Sequence, residues 1–148
     1  MKFIRFNLIV MVLLLIVSTS EAADDAFVGI VKHVEGSAVI QRKGKTLVAA
    51  LGTLVLPTDT IRTEDQGTVG VVFSDDTRLS LGPRTEVLIE DYRFAPKESR
   101  FSFILRIVRG TVSFLSGQIT KLAPESVELI VPDATIGVRG THVLIKVD

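Results

Sequence analysis

The sequence predicts an all-β fold of about ten short strands, arranged as a sandwich or as a short β-solenoid. The first observation is that short runs rich in Val, Ile, Thr, Leu and Phe recur along the chain, separated by Gly, Pro or Asp. The second is their spacing of about 8–12 residues, which is typical of all-β domains. The third is that no stretch after the N-terminal region repeats its apolar residues with a helical period.

Composition limits the class of protein. A length of 148 residues indicates one domain, and 17 basic against 17 acidic side chains leave no basic excess for nucleic-acid binding. The chain has no Cys, which excludes disulfides, thiolate nucleophiles and Cys-based metal sites. We therefore expect no nucleic-acid partner and no cofactor.

Residues 1–22 have the pattern of a cleaved signal peptide. Lys2 and Arg5 form a basic start, residues 8–17 are an unbroken apolar run, and Ala22 is a small residue at the expected cleavage point. The apolar run is shorter than the ~20 residues of a spanning helix. We expect cleavage after Ala22, a periplasmic or secreted protein and no stable membrane span afterwards, with an uncleaved anchor as the alternative.

After a short lead-in at residues 23–27, residues 28–148 form the β domain. Each predicted strand is a β-rich run that ends at a turn signal, such as Lys43-Gly44-Lys45 or Ser74-Asp75-Asp76-Thr77. Alternation places every second side chain on one face of a strand. In chain order, the predicted strands before the last segment are residues 27–34, 37–42, 46–51, 60–63, 68–73, 78–81, 86–94, 100–108, 111–115 and 127–131.

The second half contains the longest apolar strand candidate, Arg100–Val108. Arg109-Gly110 is expected to turn the chain into the next strand, and Ile119–Leu122 is the one expected turn of helix. Most Phe residues fall on inward-facing positions, where they are expected to form the core.

The stretch from Pro132 to Val147 has the most distinctive pattern. Gly137 and Gly140 flank Val138-Arg139, which indicates a backbone corner or bulge with a positive φ. Arg139 could meet an acidic partner, a ligand carboxylate or a phosphate, or else an internal ion pair or strand carbonyls. In the strand that follows, two alternating sets face opposite sides, namely Thr141, Val143, Ile145 and Val147 against His142, Leu144 and Lys146.

No catalytic or metal-binding set emerges from the remaining residues. Gly-x-Ser-x-Gly and Ser-x-x-Lys are absent from the sequence. His33 and His142 could bind zinc only with help from carboxylates, and a surface or edge histidine is the simpler interpretation. Asp75-Asp76 is better explained as a turn than as a calcium loop. We therefore predict that the protein is not an enzyme and holds no metal.

The closing motif, Ala134 to His142, resembles that of the FecR domain family. Other segments agree with the family in order, and the resemblance covers residues 28–147. The family commonly has Gly-Asp where this chain has Thr58-Asp59, and Asp-Gly where it has Asp75-Asp76. The agreeing segments are Gly29–Gly36, Gly52, Asp59–Thr63, Val69–Phe73, Leu79–Leu81, Tyr92 and Arg109–Val112.

The resemblance implies an extracytoplasmic domain, which in the founding regulators senses an outer-membrane receptor and signals through a membrane helix to an anti-sigma segment. No such segment is expected here. We expect an exported FecR-domain-only protein that binds an envelope protein by strand addition at an exposed sheet edge. The alternatives are a detached periplasmic sensory component of a transmembrane signalling system and an envelope glycan-binding or structural protein. The candidate interaction residues are Gly137, Arg139, Gly140, Thr141 and His142.

Overall fold

The computed structural model describes residues 26–148, so the predicted signal peptide lies outside the described residues. Within this range the chain forms twelve strands, one short α-helix, α1 (Gln118–Leu122), and two single turns of 3-10 helix at Pro96–Glu98 and Pro124–Ser126, which confirms the all-β prediction. No helix in the described range is long and apolar enough to cross a membrane. The strands are β1 (Gly29–Glu35), β2 (Ala38–Arg42), β3 (Lys45–Val48), β4 (Leu54–Val55), β5 (Thr60–Thr63), β6 (Thr68–Phe73), β7 (Arg78–Leu81), β8 (Glu86–Ala95), β9 (Arg100–Leu115), β10 (Val127–Val131), β11 (Ala134–Gly137) and β12 (His142–Val147).

The strands form one continuous sheet that curls into a half-barrel. Half-sheet A has the order β4, β1, β6, β7, the C-terminal part of β9, and β12. Half-sheet B has the order β3, β2, β5, β8, the N-terminal part of β9, β10 and β11. Every pairing is antiparallel except that of β9 with β10. Strand β9 therefore holds the two half-sheets together.

The bend in β9 lies at Gly110. Its φ is +95°, and a Cβ added there would lie 2.2 Å from Oγ1 of Thr85, so that no other residue fits without a shift. The predicted turn at Arg109-Gly110 is wrong, because the strand continues through both residues to Leu115. The positive φ redirects the strand, and its two parts pair with different neighbours.

The core lies between the two half-sheets and centres on Phe103. Its ring centroid is 4.7 Å from that of Phe73, 5.0 Å from that of Tyr92 and 5.5 Å from that of Phe114. Since Phe73 and Phe114 belong to half-sheet A and the other two rings to half-sheet B, the halves pack face to face. The expectation that Phe residues form the core holds for Phe73, Phe103 and Phe114, whereas Phe27 is 55% exposed.

A buried hydrogen-bond network around Asp75 fastens the turn between β6 and β7. The fully buried carboxylate accepts bonds from the Tyr92 hydroxyl at 3.0 Å, the Thr77 hydroxyl at 2.8 Å and the Ile119 backbone N–H at 3.1 Å. Burial, together with the charge of Asp75, raises the pKa of Tyr92. The interpretation of Asp75 as a turn residue is confirmed, but its links to β8 and α1 were not predicted.

A second buried carboxylate, Asp59, fixes the entry to β5. Its two oxygens accept from Nε and Nη2 of Arg42 at 2.9 and 2.7 Å, which is a bidentate ion pair. The backbone N–H of Leu56 also donates to this carboxylate, at 2.8 Å. Asp59 thus ties the end of β2 to the segment between β4 and β5.

Replacing Thr58 by glycine is expected to stabilise the domain by about 1 kcal/mol. Thr58 has a φ of +68°, and a β-branched residue is strained in this left-handed region. Asp76 has the same φ, but Asp tolerates it better and its carboxylate accepts from Gln118 Nε2 at 3.0 Å. Urea unfolding should therefore show a clear gain for Thr58→Gly and little change for Asp76→Gly; an equal or larger gain for Asp76→Gly would contradict the strain at Thr58.

Candidate interaction site

The closing motif forms the crossing from half-sheet B to half-sheet A. Gly137 ends β11 and His142 begins β12, with residues 138–141 between them. Val138 is only 1% exposed and belongs to the hydrophobic core, so it anchors the crossing from inside. Arg139, Gly140 and Thr141 are all exposed. The motif therefore presents one buried side chain to the core and three residues to the surface.

The two motif glycines do not have the predicted conformation. Neither Gly137 nor Gly140 is among the residues with a positive φ, and a Cβ added to either would meet nothing within 4 Å. The expected corner at this pair is present as the crossing from β11 to β12, but the expected positive φ is wrong. The crossing extends over residues 138–141, and none of these residues has a left-handed backbone conformation. Nothing in the folded chain explains why these two positions are glycine.

Arg139 is exposed and forms no hydrogen bond or ion pair with any residue in the range 26–148. The alternative of an internal ion pair or of bonds to strand carbonyls is not seen within that range. Its guanidinium is thus available to an acidic group outside the domain.

Ser116, just after β9, holds the exposed part of the crossing. Its backbone N–H donates to the Thr141 carbonyl at 2.8 Å, and its hydroxyl donates to the Gly140 carbonyl at 2.9 Å. Sequence reasoning missed Ser116, because nothing in its local sequence links it to a segment 24 residues away. These bonds set the position from which β12 starts.

His142 lies on the outer face of half-sheet A. Its Nε2 lies 2.7 Å from the Ser113 hydroxyl, in an exposed hydrogen bond across the β9–β12 pair. His33 lies on β1, four inter-strand spacings or roughly 19 Å away. The two histidines therefore cannot share a metal ion, and no group of three potential ligands is placed to bind one in the described range.

The outer face of half-sheet A carries a shallow groove of about 400 Å³. Its floor consists of glycine and small hydroxyl side chains, because several strands place such residues side by side. His33 borders the groove at β1, and Ser113, the partner of His142, borders it at β9. The other lining residues include Thr68, Gly70, Ser80, Gly82 and Thr111.

Strand β12 has a free edge. It pairs with β9 over six consecutive residues without a bulge, and no other strand of residues 26–148 pairs with it. The remaining edge strands β3, β4 and β11 have four, two and four residues. Natural sheets usually protect long edges with Pro, bulges or charges, and β12 has only Lys146 for this purpose.

The hydrogen-bond ladder between β9 and β12 determines which backbone groups of β12 point toward the free edge. The Ser116 N–H bonds the Thr141 carbonyl, so by alternation Val143, Ile145 and Val147 also bond to β9. On β9 itself, the Thr111 carbonyl accepts from the N–H of Gly82, just after β7, which leaves the alternate β9 residues for β12. The N–H and C=O groups of the other β12 residues therefore point away from the sheet. These residues are His142, Leu144 and Lys146.

The side chains along the free edge are apolar and basic. Leu144 is 71% exposed, which is unusual for a leucine on a strand. Lys146 lies 3.7 Å from Asp148, and both side chains are highly exposed, so this ion pair is weak. Together with Arg139 and His142, the edge offers one apolar contact flanked by cationic or proton-accepting groups.

Comparison with known proteins gives one match. A family model described as FecR protein matches residues 59–148, more than half of the chain, from Asp59 to the end of the closing motif and β12. Strands β1 to β4 precede the matched range. Searches of curated proteins and of solved structures found no match.

Proposed function

We propose that this chain, which belongs to the FecR family, is an exported, non-enzymatic module that binds a protein partner at the cell envelope. The FecR domain indicates involvement in transmembrane signalling. The signal-peptide pattern of residues 1–22 supports export. Family membership supports a partner within a signalling complex.

The free edge of β12 is the observation that carries this proposal. A partner strand added there satisfies three N–H and three C=O groups that have no partner strand in the described chain. Main-chain bonds supply affinity, and the alternating side chains of β12 supply specificity. The motif residues Arg139, Thr141 and His142 lie at the start of this edge, so family motif and edge form one surface.

A second candidate function is that of a detached periplasmic sensory component. Family membership favours it, because the FecR domain is a signalling and regulatory domain. It uses the same edge but requires that the partner be a receptor or regulator whose output depends on this protein. Deleting the gene separates the two functions. A changed signalling output in the deletion strain supports the sensor, whereas an unchanged output, together with partner capture in wild-type cells, supports a scaffold.

The Leu144→Pro variant is expected to bind its partner with about 5- to 150-fold lower affinity, because one unsatisfied hydrogen bond costs about 1–3 kcal/mol. Proline removes the outward N–H of residue 144, which the β9 ladder does not use, and is tolerated on strand edges. The measurement is a crosslinking pull-down from intact cells with a C-terminally tagged protein. Mass spectrometry of the same sample should show a mature chain starting at Ala23.

The matched control is Leu144→Thr, which keeps the backbone N–H and the strand conformation. Thermal unfolding of both variants checks that half-sheet A is intact. A folded Leu144→Pro protein that captures the partner as well as the wild type does would contradict binding at this edge. A chain that retains residues 1–22 in the inner membrane and captures cytoplasmic or membrane-embedded partners would contradict export.

A further inference from the structure

We infer that the strand received by β12 is antiparallel and acidic, with carboxylates opposite Lys146 and His142 and an apolar side chain opposite Leu144. This inference rests on the proposed function, since it specifies the chemistry of the partner at the same edge. It follows from the direction of the neighbouring strands, from the register of the free backbone groups and from the charges beside them.

The direction and register come from the sheet itself. Every strand pair in half-sheet A is antiparallel, which favours the same direction for an added strand. The outward groups of β12 occur at every second residue, so the partner residues that hydrogen-bond to them lie directly opposite. Directly opposite residues in an antiparallel pair place their side chains on the same face. The partner therefore matches His142, Leu144 and Lys146 on the outer face.

The charged side chains at and beside β12 determine which partner residues are favoured opposite His142 and Lys146. Lys146 is held only by the exposed Asp148, and Arg139, three residues before β12, is exposed and unpaired within residues 26–148. Opposite charges on facing residues stabilise a strand pair, and like charges destabilise it. A partner carboxylate opposite Lys146 can form an ion pair with its ammonium group. A carboxylate opposite His142 lies near the imidazole and near the end of the edge that carries Arg139.

The inner face of the added strand must be apolar. Ile145 is in the core, and Val143 and Val147 pack against it from partly buried positions. Partner residues beside them continue this face at the rim of the half-barrel. The complete pattern is an acidic residue at each end with three apolar residues between them.

The domain already contains ion pairs between glutamates of one strand and arginines of its antiparallel neighbour. The first five residues of β8 are Glu86-Val87-Leu88-Ile89-Glu90, of which Val87 and Ile89 are fully buried. Its two glutamates form ion pairs on the outer face with neighbouring β9, Glu86 with Arg109 at 3.5 Å and Glu90 with Arg106. Basic side chains of β9 thus bind carboxylates of an antiparallel neighbour, although Arg106 lies opposite Leu88 and the register shifts near both glutamates.

A second copy of the chain fits the edge less well. Twofold pairing about Leu144 would bring the two leucines together, but would place each Lys146 opposite His142 of the other copy. This arrangement gives neither Lys146 an opposite charge to pair with. The charges therefore favour a partner of different sequence over self-association.

The test uses two labelled peptides, acetyl-Ser-Glu-Val-Leu-Val-Glu-Ser-amide and the same peptide with both glutamates replaced by lysine. Fluorescence anisotropy with the full-length protein should show at least about tenfold tighter binding of the acidic peptide at low salt. Lys146→Glu should remove most of this preference. The matched control is Lys32→Glu, which makes the same charge change on β1, four strands away, and should leave the preference intact.

The outcomes separate this inference from the proposed function. If both peptides bind equally well and Leu144→Pro abolishes their binding, the preference for an acidic strand is wrong, but strand addition at β12 is still supported. Acidic-peptide binding that is unaffected by Leu144→Pro would place the peptide elsewhere and count against both. Failure of either peptide to bind at millimolar concentration overturns the inference, while the pull-down decides the proposed function independently.

Discussion

Replacing Asp75 by alanine is expected to lower the free energy of unfolding by about 3–5 kcal/mol. The substitution leaves the Tyr92 hydroxyl, the Thr77 hydroxyl and the Ile119 N–H buried without their acceptor. Each such loss costs about 1–3 kcal/mol, and the three groups belong to different segments of the fold. Urea unfolding followed by circular dichroism measures the change.

The neighbouring carboxylate provides the control for Asp75. Asp76→Asn should change stability by less than about 0.5 kcal/mol, because Asp76 makes one exposed bond to Gln118 and asparagine tolerates its positive φ. Asp75→Asn keeps the volume and one acceptor oxygen, so an intermediate loss is expected. A loss below 1 kcal/mol for Asp75→Ala would show that water replaces the carboxylate at this site.

The second large effect is expected for Asp59→Ala, with a loss of about 3–5 kcal/mol. Removing this buried carboxylate takes two hydrogen bonds from the Arg42 guanidinium, which still donates to the Leu54 carbonyl, and leaves the Leu56 N–H without its acceptor. Because the Arg42 side chain is 26% exposed, water limits the loss to the lower part of this range. Chemical denaturation of the single variants and of Arg42→Ala/Asp59→Ala gives the coupling between the two residues.

The exposed pair Arg62–Glu64 is the matched control for Arg42–Asp59. Its Nε–Oε1 distance is 3.8 Å and both side chains are solvent-accessible, so Glu64→Ala should cost less than about 0.5 kcal/mol. Both pairs flank β5, which makes the comparison local. Equal losses at Asp59 and Glu64 would contradict a special role for the buried pair.

Local patterns predicted the elements of the fold well, because strand alternation and turn chemistry are short-range properties. The strands from Thr60 to Leu81 and the single helical turn after Gly117 lie where the pattern placed them. The pattern failed at Gly110, since whether a glycine ends a strand or bends it depends on the close approach of Thr85, 25 positions earlier in the chain. It also missed the two-residue β4, which is too short to show a period.

The candidate site was only partly predictable, because a free edge is a property of the whole sheet. Alternation along β12 correctly separated Ile145 from Leu144 and Lys146. That no described strand covers the other side of β12 depends on the order of all twelve strands within residues 26–148. The roles of Asp75 and Ser116 were equally hidden, since their bonding partners lie far away in sequence.

Positive φ angles were also misplaced by sequence reasoning. They were expected at Gly137 and Gly140, but the structure places them at nine other residues, among them Gly110 and the non-glycine Thr58 and Asp76. The last two are the positions at which this chain lacks the glycine that the family commonly has. The departures noted in the sequence therefore have a physical consequence, which is backbone strain at Thr58.

Pairing of a partner strand with β12 is tested most directly by residue-resolved amide hydrogen exchange, measured on the free protein and on its complex with the captured partner. Binding should slow exchange at His142, Leu144 and Lys146, whose N–H groups point outward. Exchange at Val143 and Ile145 should be slow in both states, because these residues bond to β9. Unchanged exchange at the three outward amides, with new protection around the groove at Ser80 and Ser113, would contradict edge pairing.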